Sequence, residues 1–109
     1  MAYDEELADR VRELMAARAE VSERKMFGGI AFMLAGNMAC GVLGDELMAR
    51  VGKEQGDAAL AEPHARPMDF TGRPMKGTVY VAAEGIASDE DLAEWVDAAA
   101  GYALSLRPK

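Results

Sequence analysis

The chain has 109 residues, half of them apolar, which is enough for one domain with its own core and too short for two. Twelve basic against nineteen acidic residues leave a formal charge of −7 and a pI near 4.6, a balance that disfavours nucleic acid as a partner. No apolar run is long enough to span a bilayer, and the acidic start Met1-Ala2-Tyr3-Asp4-Glu5-Glu6 is unlike a secretion signal, so a cytoplasmic protein without a membrane partner is expected.

From Asp4 to Glu20, Leu7, Val11, Leu14, Met15 and Arg18 recur at spacings of three and four, which predicts a helix lying across one face of a sheet. Val21-Ser22-Glu23 is expected to link it to the first strand, opened by Arg24-Lys25 and running through Met26-Phe27-Gly28-Gly29-Ile30-Ala31-Phe32-Met33-Leu34. Two adjacent glycines argue against a helix here, and a bulge or a close approach by a helix explains them in a strand. Gly36-Asn37 is expected to turn the chain into Met38 to Leu43, and Gly44-Asp45 into Leu47 to Val51, making an antiparallel meander. Ile30, Phe32 and Leu34 point one way and Ala31 and Met33 the other; Met38, Cys40 and Val42 share one face of the next strand. Both faces are apolar, so a helix, a loop or another chain has to cover the second one.

Gln55 to Glu62 reads as a short helix anchored by Leu60 and ended by Pro63. Pro63 to Met68 is extended and, with its prolines, suits a sheet edge. Asp69-Phe70 suits a short strand, Thr71 to Pro74 a turn, and Met75 to Ala82 a further strand. Ser88 is the N-cap of a last helix reaching Leu106, whose apolar stripe is Leu92, Trp95, Val96, Ala99, Tyr102, Ala103 and Leu106. Trp95 is expected in the core, where truncation to alanine costs ~3 kcal/mol or more. The result is an α+β fold with an antiparallel sheet of about five strands in α-β-β-β-α-β-β-α order.

That order, with Arg24-Lys25-Met26-Phe27-Gly28-Gly29, the Gly36 hairpin, Arg50 closing the third strand, Pro67 with Phe70, and Trp95 followed by Ala99, resembles the TfoX N-terminal domain family. The family takes its name from the TfoX/Sxy regulators of bacterial competence. The resemblance implies an α+β sandwich similar to type III secretion chaperones, with part of a sheet left for pairing or partners. It implies a regulatory role and no catalytic residues. The competence regulators carry a second, helical-hairpin domain, so this chain is expected to be a stand-alone copy, and Arg50 stands where relatives commonly have lysine.

Catalytic, cofactor and metal sites are not expected. Gly28-Gly29 lacks the strand-to-helix context and lysine of a phosphate loop. His64, the single histidine, has no second ligand or nucleophile beside it. Cys40, the single cysteine, reads as a small core residue. The residues singled out for anion or partner binding are Arg24, Lys25, Arg50, His64, Arg66, Arg73 and Lys76, set against the reading that they merely pair with nearby acids. Met26, Met33, Met38, Met68 and Met75, among eight methionines, suit either core or an adaptable partner surface. The expected function is a small non-enzymatic interaction domain that binds a protein, a second copy of itself included, through a sheet face or edge. The alternatives are nucleic-acid association through Arg66 to Lys76 with Arg24-Lys25, and a small-anion site or enzyme using His64 and the arginines.

Overall fold

The computed structural model describes residues 3–16, 21–26, 28–68 and 75–106. Its elements in chain order are α1 (Glu5–Met15), β1 (Val21–Met26), β2 (Gly29–Leu34), β3 (Asn37–Leu43), β4 (Glu46–Arg50), α2 (Lys53–Leu60), β5 (Ala65–Met68), β6 (Met75–Val81), a 3-10 turn (Ala83–Ile86) and α3 (Asp89–Ser105). The six strands form one antiparallel sheet in the order β1-β2-β3-β4-β6-β5. The α+β class is as expected, with one strand more. Val21 to Glu23 belong to a strand rather than a linker, and the long apolar run breaks at Gly28, whose φ of 78° belongs to the hairpin turn between β1 and β2. Gly29 is then the first residue of β2, where a Cβ would lie 2.2 Å from the Val42 carbonyl oxygen. A neighbouring strand, and not a helix, makes the close approach there.

The β2–β3 turn also sits one residue earlier than Gly36-Asn37. Ala35 (φ 51°) and Gly36 (φ 83°) both take left-handed conformations, the pattern of a type I′ hairpin, while Asn37 opens β3 and is buried. Between Phe32↔Cys40 and Met33↔Met38 the register shifts, leaving Ala39 as an extra residue in β3. This bulge turns Met38 away from the face of Cys40 and Val42 and places Ala39 in the core instead.

All three helices pack on one face of the sheet. Leu7, Val11 and Met15 of α1, Ala59 of α2, and Leu92, Val96, Ala99 and Ala103 of α3 share a core with Ile30, Phe32, Leu34, Cys40, Val42, Leu47, Ala49, Val79 and Val81. Caps fix two helix starts: Asp4 Oδ1 accepts from the Leu7 N–H and Ser88 Oγ from the Asp91 N–H, each at 3.1 Å. α1 covers Leu7 to Met15 as expected; its expected continuation over residues 17–20 lies outside the described residues. α2 begins two residues before the expected start. Leu60 points outward, 38% exposed, and Ala59 is the buried anchor instead. Trp95 is only partly buried at the margin of the core, because Leu92, Val96, Ala99 and Ala103 already fill the sheet-facing stripe of α3. Its truncation therefore costs less than that of a fully buried aromatic. Cys40 is fully buried, and Pro67 lies in β5, which is an edge strand as its prolines suggest.

Arg12 ties α1 to β1. Its guanidinium donates to both Glu23 carboxylate oxygens at 2.7 and 2.8 Å, pairs with Asp9, and lies 5.9 Å from the Phe32 ring centroid. The hydrogen bonds from Arg12 hold the Glu23 carboxyl below its ordinary value, against a smaller opposing effect of burial. The folded state thus binds that proton more weakly than the unfolded chain. The pair's stabilisation is full above the ordinary carboxylate range and is lost as pH falls through the lowered value. Both side chains are about a third or more exposed, which limits the pair to the scale of a surface ion pair.

Two outcomes are expected. Glu23→Gln lowers stability in urea unfolding by about 0.5–1 kcal/mol at neutral pH, and the difference from the parent shrinks in acid. Ala35→Asn raises stability by about 0.5–1 kcal/mol in thermal unfolding, because asparagine tolerates the left-handed backbone that alanine adopts here under strain.

Candidate interaction surface

Strand alternation and register set the face opposite the helices. One row of residues crosses all six strands: Arg24, Ala31, Gly41, Met48, Tyr80 and Arg66. Beside it lie Met33 and Met38, paired across β2 and β3, and Leu43. Met48 and Tyr80 form a small second core on this face, with Met38 and Leu43 half-buried against it, and no helix residue belongs to it. The small residues Ala31 and Gly41 leave the middle of the row low. A Cβ on Gly41 would come within 3.0 Å of the Met48 Cε and 2.8 Å of the Ile30 carbonyl oxygen, so the Met48 side chain lies close over this glycine. A shallow, methionine-rich apolar floor results, made of flexible and polarizable side chains.

Arg66 closes one end of the row. It makes a two-pronged ion pair with Glu46, one hydrogen bond at 2.8 Å, and its guanidinium lies 4.7 Å from the Tyr80 ring centroid. Arg24 and Lys25 are exposed on β1, the opposite edge, Arg24 in register with Ala31 and Lys25 with Ile30. Five strand spacings separate that edge from β5, ~24 Å, so these two residues and Arg66 do not converge. Arg50 ends β4 with its guanidinium 5.4 Å from the Tyr102 ring centroid on α3. Lys76 lies in β6, and Arg73 lies outside the described residues, as do the expected strand Asp69-Phe70 and the expected turn Thr71 to Pro74.

His64 stands apart on the helix side. It is exposed, has a φ of 70°, and its carbonyl oxygen accepts from the Ala82 N–H at 2.8 Å. With Gln55, Glu62, Asp91, Glu94 and Trp95 it lines a hollow of about 500 Å³ between α2 and α3. A second hollow of about 600 Å³ adjoins it, lined by Glu54, Gly101 and Tyr102 among others. Among the described residues no group of three or more histidine, cysteine, aspartate or glutamate side chains is placed to hold a metal ion. No described helix is long and apolar enough to cross a membrane.

The partners of Arg66 escaped sequence reasoning, because Glu46 and Tyr80 are distant in the chain and meet only through the β4–β6 and β5–β6 registers. The groove did leave a trace: Asp91, Trp95, Ala98, Tyr102 and Ser105 recur at spacings of three and four beside the buried stripe of α3.

A helix-backed antiparallel sheet with a methionine-rich second face that no described helix covers is the class of protein that these features define. The chain belongs to the TfoX N-terminal domain family, whose model matches residues 13–103. That family is one of regulatory and interaction domains connected with competence, and it is not a known enzyme family. No curated protein and no solved structure matches the chain.

The ion pair and ring contact of Arg66 make a specific expectation. Arg66→Ala and Arg66→Lys each lower stability by about 0.5–1 kcal/mol in urea unfolding, with lysine failing to rescue, because an ammonium reproduces neither the fork nor the stacking.

Proposed function

We propose that this chain is a small regulatory interaction domain that binds a protein partner through the helix-free face of its sheet. One observation carries the reading: the Met48–Tyr80 cluster, with Met38 and Leu43 half-buried against it, lies on a face that none of the three helices covers. The sheet edges are poorer docking sites. β1 presents Glu23, Arg24 and Lys25, and β5 contains Pro67, and charge and proline are the means by which edge strands avoid pairing. Strand addition at either edge is therefore disfavoured relative to docking on the face. Methionine side chains suit this task because they repack around partners of different shape.

Competence-related regulation is the setting that the family supplies. Nucleic-acid association receives less support, since Arg66 already has Glu46 and Tyr80 as partners, and a phosphate has to displace the carboxylate to reach it. The chain's net charge of −7 opposes the same approach.

The test is association in solution. Met38→Glu places a charge on the open face at a half-buried position, and it is expected to leave the melting temperature within a few degrees of the parent. It is also expected to abolish recovery of protein partners in nuclease-treated affinity capture and any self-association seen by light scattering. Capture and scattering profiles identical to the parent's contradict a partner-binding face.

A further inference from the structure

The groove between α2 and α3 is on the opposite side of the molecule from the methionine face and has a different chemistry. We propose that it is a second docking site, which receives a basic amphipathic helix of a partner protein.

Shape is the first argument. α2 and α3 each present one stripe to the groove, Gln55 and Ala58 from α2, continued by Glu62 just past its end, and Asp91, Trp95 and Ala98 from α3. Small side chains occupy its middle, and at Gly101 an added Cβ would find no atom within 4 Å. A trough between two helices, low along its middle and walled on both sides, accepts a third helix lying along it. The eight residues of α2, ~12 Å at 1.5 Å per residue, limit the closest contact to about two turns of the incoming helix.

Charge is the second argument. Carboxylates of Glu54, Glu62, Glu84, Asp91 and Glu94 line the two hollows, and among the described lining residues there is no lysine or arginine. His64 lies at the Trp95 end. Arg50 lies against Tyr102 two turns further along α3, where Glu54 and Asp97 line the second hollow, while Glu62, Glu84, Asp91 and Glu94 line the Trp95 end. A low-dielectric cleft rimmed by one sign of charge focuses its field and favours a segment of the opposite sign.

Trp95 supplies the anchor. It packs against the core on one side and lines the groove on the other, so a partner's apolar side chain finds an aromatic surface already held in place. Partly buried tryptophan at the centre of a cleft is a common source of binding energy in interfaces. The occupant that answers all three features carries leucine-like residues on one face and lysine or arginine along the flanks.

Trp95 is also the chain's single tryptophan, so its fluorescence reports on this groove alone. The probe is a synthetic helical peptide with leucines along one face and lysines at the flanks. Two controls accompany it: the same peptide with glutamate for lysine, and a scrambled peptide of identical composition. Saturable blue-shifted emission with the lysine helix, weakened by salt and absent with both controls, is the expected result. In the double variant Glu84→Gln/Glu94→Gln, with an unchanged melting curve, affinity is expected to fall about tenfold. Met38→Glu, on the far face, is expected to bind the peptide as the parent does, which separates this site from the methionine surface. The proposal is overturned if the lysine helix leaves the emission unchanged, if the scrambled peptide shifts it equally, if the double variant binds as tightly as the parent, or if Met38→Glu loses binding.

Discussion

Phe32, Cys40, Ala49 and Val79 stand side by side on four adjacent strands, pointing at the helices, and the next row, Ala31, Gly41, Met48 and Tyr80, points the other way. The rest of the structure depends on this alternation. A strand sends successive side chains to opposite faces, so an apolar strand creates two apolar surfaces, and three helices on one side satisfy only one of them. Among its described residues the protein fills the second face from the strands themselves. It uses small residues in the middle, a methionine lying over a glycine, and a tyrosine beneath an arginine whose charge is held by Glu46. Met33, Met38 and Leu43 remain half-exposed around this patch.

Much of this was legible in the residues. The split of β2 into Ile30, Phe32 and Leu34 against Ala31 and Met33 follows from period-two alternation, and both the excess of apolar residues and the need for a second cover were visible there. The Ser88 cap, the course of α3 and the edge position of the Pro67 strand were equally plain, because each rests on local backbone chemistry. What misled was of another kind. Val21-Ser22-Glu23 resembles a linker, and it belongs to β1 because β2 offers it a partner and Arg12 fixes Glu23. The bulge at Ala39 has no signature in the residues around it, yet it moves Met38 onto the open face. In α2 the small Ala59, and not the larger Leu60 beside it, faces the core, because the packing of the helix on the sheet decides which residue turns inward.

The basic residues illustrate the gap between a list and a site. In the sequence they share places at strand ends and turns, but a six-stranded sheet places Arg24 and Lys25 at one edge and Arg66 at the other, with Arg50 drawn to Tyr102 on α3. Arg66 acts as the end of a packed row, where its fork and its flat face are both used. On the helix side Glu54, Glu62, Glu84, Asp91, Glu94 and Asp97 line the α2–α3 groove. The two surfaces are chemically opposite, one apolar and adaptable, the other acidic around a tryptophan.

The central claim is that the helices cover one face of the sheet and leave the other to a partner. Methionine methyl resonances of the free protein, recorded with and without a soluble nitroxide, test it most directly. Met15, buried on the sheet side of α1, should keep its intensity, while Met33 and Met38 on the helix-free face should broaden strongly. If Met33 and Met38 prove as protected as Met15 in a protein shown to be monomeric, the second face is already covered within the chain, and the account of an open docking surface is wrong.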